Sequence, residues 1–217
     1  GYCLANSYRF LLDARRLCQS MLRRYAEIGS ISVPVPRFHG FHVRPSTLVS
    51  LIARHYGSAL TMECGGKQYN ALETMELFRA NEWINRCKRE HICQDLRALP
   101  LAAIEQHAAD RIEALRDALV HAADRRIVSI HEHPLPIDAS VTSLDAPFAE
   151  VLCTTAANLL RERKINMESD ISVTFTGDKR VLEDIRLLAE NGYGEDDRGN
   201  NIPLPSALAY LRYSRSM

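Results

Sequence analysis

Gly65-Gly66 separates two β-like runs, 59–63 and 67–71, and a two-glycine connection between such runs signals a tight hairpin. That hairpin sets the frame for its neighbours. Upstream, Ile31-Ser32-Val33-Pro34-Val35-Pro36 is β-like, with Pro34 and Pro36 confining it to a sheet edge or a bulge. Between them, Leu48, Val49, Leu51, Ile52 and Tyr56 recur at helical spacing, so a helix is predicted over 44–56. A second helix runs from about Leu72 to Ala80. Much later, Ile171, Val173 and Phe175 alternate with Ser172, Thr174 and Thr176 as in a half-buried strand spanning 170–177. A helix follows to Asn191, capped by Asp178 and stopped by Asn191-Gly192.

The remaining segments read as additions. Residues 4–27 give one amphipathic helix, with Leu4, Tyr8, Leu11, Leu12, Leu17, Met21, Leu22 and Tyr25 on its apolar side and Gly29 closing it. Its interspersed arginines read as a solvated face. Residues 81–168 read as helical: Trp83 to Leu96, a long helix from Leu101 to Arg126, a proline-bearing loop from Ile130 to Ser140, and a helix from Ala146 to Lys164. From Gly192 onward the chain reads as a polar linker before a short apolar piece, Ala207 to Leu211.

Lys plus Arg equals Asp plus Glu at 27 each, which removes the electrostatic case for nucleic acid or an anionic membrane as a general partner. No apolar run approaches the ~20 residues of a membrane span, and the first residues lack a basic leader. The six cysteines are scattered, so reduced thiols and a cytoplasmic setting are expected. Cys87, His91 and Cys93 cluster, and His131 and His133 flank Glu132, yet neither set has the paired spacing of a zinc site. Gly65-Gly66-Lys67 lacks the rest of a phosphate loop. No metal and no cofactor are expected.

The chemistry concentrates at Gly40-Phe41-His42-Val43-Arg44-Pro45-Ser46-Thr47, which joins the first strand to the first of these helices. His42 falls at a helix N-terminus, where free N–H groups and the dipole favour an anion, and Pro45 suits a first turn. Arg44 offers a planar fork of donors to phosphate, and Val43 and Arg44 offer backbone N–H groups. A neutral imidazole nitrogen is a competent nucleophile toward a phosphoryl donor.

This stretch resembles the histidine-containing phosphocarrier (HPr) family of the phosphoenolpyruvate-dependent sugar phosphotransferase system. That family carries Gly-aliphatic-His-small-Arg-Pro around its phosphorylated histidine; Phe41 and Val43 are bulkier than the pattern. The likeness runs on without a gap through Ala59 to Glu63, Gly65-Gly66-Lys67 and Asn70-Ala71-Leu72-Glu73-Thr74-Met75. It implies an α+β open-faced sandwich, a four-stranded antiparallel sheet with three helices, discontinuous here over 31–80 and 169–191. The N-terminal helix (1–30), the helical insertion (81–168) and the tail (192–217) are then extra. By this resemblance His42 is the phosphoryl acceptor, a bacterial enzyme I-like protein the donor and an enzyme II-like protein the recipient, with Arg44 stabilising the transferring charge. Such a protein is a carrier more than an enzyme. Thr47, Met75 and Phe78 stand where the resemblance implies a partner-docking patch. Glu73 stands where many members carry a regulatory serine, so phosphorylation by a serine kinase is chemically absent there. The alternative expectation is a non-transferring regulatory or interaction module built on the same domain.

Overall fold

A computed structural model describes residues 2–137, 146–167 and 171–212. Its centre is a four-stranded antiparallel sheet of β1 (Ile28–Pro34), β2 (Leu60–Cys64), β3 (Lys67–Asn70) and β6 (Ser172–Asp178) in the order β1-β6-β2-β3. The chain's last strand therefore inserts between the first and second, with Phe175 opposite both Ile31 and Met62. Gly65 and Gly66 both take positive φ and close the β2–β3 hairpin, where Cys64 faces Lys67. Pro34 ends edge strand β1, where its missing N–H removes no interior ladder bond.

One face of the sheet is dry. Leu60, Met62, Val173 and Phe175 point into a core closed by α2 (Val43–Tyr56) and α7 (Lys179–Glu190), which contribute Val49, Ile52, Val181, Ile185 and Leu188. The opposite face carries Ser30, Thr61, Glu63 and Thr176, and Ser30 and Thr176 share a hydroxyl hydrogen bond of 2.9 Å. Asp178 caps α7 by accepting from Arg180 N, and Gly57 ends α2 in the left-handed region. The architecture is thus α+β, with the class and the four antiparallel strands as expected.

Four boundaries differ from the sequence reading. First, Gly29 does not close the leading helix. That helix, α1, spans Tyr2–Arg24, and Gly29 lies within β1 opposite Gly177, so the strand starts three residues ahead of Ile31. Leu4, Tyr8, Leu11, Leu17 and Met21 of α1 are all exposed, so its apolar side covers no core here.

Second, the helices expected at 72–80 and from Trp83 are one: α3 runs unbroken from Thr74 to Arg97, and nothing in Arg79–Glu82 has the chemistry to stop it. Third, the long helix expected over 101–126 breaks into α4 (Leu101–His107) and α5 (Arg111–Asp124). Asp110 caps α5 by accepting from Glu113 N, while the Glu113 carboxylate accepts from Ala109 N, a reciprocal cap that starts a new helix.

A second apolar cluster joins Ile92 and Leu96 of α3 to Leu115 and Leu119 of α5 and to Leu152 and Leu159 of α6 (Phe148–Arg161). A two-stranded ribbon, β4 (Ser129–Ile130) with β5 (Ile165–Asn166), flanks it, and only Ile130 of it falls in the segment read as a loop, Ile130 to Ser140. Residues 138–140 of that loop and Asp170 lie outside the described residues.

The fourth difference is the tail. It is no linker: Tyr193, Leu204, Leu208 and Leu211 are buried in the sheet's own core, and Tyr193 Oη donates to Pro34 O. Among the described residues no helix is long and apolar enough to cross a membrane.

Candidate functional site

The loop before α2 is held in shape by partners on three elements. His39 and Gly40 both take positive φ, a costly conformation for the histidine. Asn81 of α3 spans this turn, accepting from Phe41 N at 2.9 Å and donating to His39 O at 3.0 Å. Buried Ser46 donates to Phe41 O. The bulk of Phe41 has a use: fully buried, it meets Phe175 of the sheet and Tyr193 of the tail edge-on.

This scaffold puts His42 at the N-cap of α2 with extended backbone. Ser46 N bonds to His42 O, and Pro45 has no N–H, so Val43 and Arg44 carry the first-turn amides that lack intrahelical acceptors. Both call for an anion at this helix end.

The imidazole is largely covered. Its side chain is 23% exposed, because the tail crosses it: Nε2 lies 2.7 Å from Oε2 of Glu195, itself 5% exposed. Phe38 meets the ring edge-on at 5.7 Å. Arg44 Nε stands 4.0 Å from Glu195 Oε1, beyond hydrogen-bond range, and is buried with no hydrogen-bond acceptor among the described residues. Gly194 leaves the guanidinium its room, since a Cβ there would sit 3.2 Å from a terminal nitrogen of Arg44.

With its Nε2–H donated to a carboxylate, a neutral imidazole keeps its lone pair on Nδ1. The site therefore combines an oriented nucleophilic nitrogen, a helix N-terminus and an unsatisfied guanidinium donor. Sequence reading missed Glu195, because its segment looks like a polar linker and pairing across 153 residues leaves no local pattern.

The other expected residues fall around this centre in two groups. Val43 and Met75 are exposed apolar side chains, at 68% and 65%, and the insertion does not bury Met75. Thr47 is exposed, with its hydroxyl turned back to Val43 O, while Phe78 is half-buried. Glu73 is the exposed N-cap of α3, where a carboxylate complements the helix dipole. Among the described residues, no three potential metal ligands come together. Glu132 pairs with Lys164.

Beside the ring lies a cavity of about 340 Å³, lined by His39 and His42 of the loop, by Asn81, Lys88 and Arg89 of α3, and by Arg161 and Arg163 at and just past the end of α6. Glu195 does not line it. A larger cavity of about 710 Å³, on the Glu195 side, is not lined by His42. Burial, with Arg163 and His42 nearby, pushes the His39 imidazole down to about 4. No protein family, curated protein or solved structure matches this chain.

Proposed function

We propose that the chain is a phosphocarrier-like protein of HPr type that accepts a phosphoryl group on Nδ1 of His42. The observation that carries this reading is the Glu195–Nε2 hydrogen bond at the N-terminus of α2. It leaves Nδ1 as the free base beside an anion-favouring helix end. In the transfer, the Nδ1 lone pair attacks phosphorus, an N–P bond forms, and the bond to the donor breaks with its electron pair leaving on the donor. The Nε2 proton stays where it is, and the cationic charge on the phosphorylated ring is balanced by Glu195. Arg44, whose Nε has no acceptor, supplies charge to the phosphoryl oxygens. Reversal toward an acceptor completes the carrier cycle. The position of β6 between β1 and β2 supports the HPr-type fold, since it completes the sheet that the resemblance calls for across the insertion.

The donor is an enzyme I-like phosphoprotein and the recipient an enzyme II-like one, docking over exposed Val43, Thr47 and Met75 in a cytoplasmic setting. One observation favours the alternative, a non-transferring module: the tail covers most of the ring. Enzyme I with labelled phosphoenolpyruvate decides between them. The carrier acquires acid-labile, base-stable label that His42→Ala abolishes. An unlabelled chain, under conditions that label an ordinary phosphocarrier, is the module.

A further inference from the structure

The buried stripe of α3 is Leu77, Ala80, Ile84, Lys88, Ile92 and Leu96, each three or four residues from the last. Five of the six are apolar and bind the two cores together. The sixth is a lysine only 2% exposed, whose Nζ has, among the described residues, just Arg37 O at 3.5 Å. A buried ammonium without a carboxylate is costly, and a methionine or leucine would serve the stripe better. Desolvation accordingly pushes Lys88 down to about 8. Lys88 lines the 340 Å³ cavity with Arg89, Arg161 and Arg163, and among the described residues none of these four pairs with a carboxylate. Glu82 is the one acidic side chain in the lining. The dipole at the end of α6 accounts for Arg161 on its own, but not for Lys88. His39 Nε2 and Asn166 Oδ1, both from lining residues, are buried without hydrogen-bond partners among the described residues.

We propose that this cavity, between the His42 loop and the insertion, binds a small phosphorylated molecule, with Lys88, Arg161 and Arg163 holding its anionic groups beside His42. Its volume is at the small end of the ~300–1,000 Å³ usual for ligand sites, which suits a metabolite. The insertion thereby gains a purpose, since α3 and α6 supply the cations. The inference goes beyond the carrier reading, because binding needs no phosphoryl transfer.

Pyrophosphate and inorganic phosphate serve as probes, titrated calorimetrically into the whole unphosphorylated chain. Pyrophosphate is expected to bind saturably at one site and to raise the melting temperature. Lys88→Met, which puts an apolar chain into an apolar stripe, is expected to fold at least as stably and to lose affinity about tenfold or more. Exposed Arg163→Gln gives a second measure with the same sign, and Arg186→Gln, on the far helix α7, leaves affinity unchanged. No saturation by about 10 mM pyrophosphate, or affinity untouched by both cavity variants, overturns the proposal. Labelling of His42 by enzyme I tests the carrier reading alone, so either reading can fail without the other.

Discussion

At the scale of single residues, Glu195 engages Nε2 of His42 at 2.7 Å, which in the proposed transfer leaves Nδ1 as the reacting nitrogen. Glutamine at 195 keeps the size but loses the charge that fixes the ring proton on Nε2 and balances the phosphorylated ring, because its amide can either accept from Nε2–H or donate to a bare Nε2. Glu195→Gln is therefore expected to slow label uptake about 100-fold, within the range of lost acid–base positioning. The ¹⁵N shifts of the His42 ring in the unsubstituted chain report the tautomer directly, and a neutral ring protonated on Nδ1 contradicts the assignment. His39 offers a second test, through pH. Its folded pKa of about 4 lies below the ordinary 6.5, so as pH falls the unfolded chain takes up the proton first. Its contribution to stability is complete above about pH 6.5 and is lost progressively down to about pH 4. Asparagine tolerates the positive φ at this position, so His39→Asn is expected to lose less stability on acidification, read as the shift in urea midpoint between neutral and acid buffer.

At the scale of elements, the His42 loop depends on α3 more than on its own helix. Asn81→Ala orphans the Phe41 amide and the His39 carbonyl together, at a cost of about 1–3 kcal/mol in denaturant unfolding for each group left buried and unsatisfied. Label uptake falls with it if the loop loosens. Periodicity made α2, β2, β3, β6 and α7 legible, and the Gly-Gly turn and the Asp178 cap were written in local chemistry. The unbroken α3 and the split at Asp110 were not. The first hides because the resemblance ends its helix near Ala80, at the edge of the expected insertion, the second because a reciprocal cap can sit inside a continuous apolar pattern. His42, Val43 and Arg44 were visible as a motif. Their carboxylate partner and the Asn81 clamp arise only through tertiary contact.

At the scale of the whole molecule, two apolar clusters share one helix, and the tail returns to finish the first of them. The two clusters are separate as cores, and the unbroken backbone of α3 belongs to both. Composition and spacing could not reveal the tail's role, because a polar run, 195–201, parts Tyr193 from Leu204 and the apolar piece 207–211 is too short to carry a pattern. α3 has 24 residues, so it is a rod about 36 Å long. Its near half grips the histidine turn at Asn81, and its far half is embedded among α5 and α6. Tilting the distant bundle would swing the rod like a crowbar, with the turn around His42 as the load at its short arm.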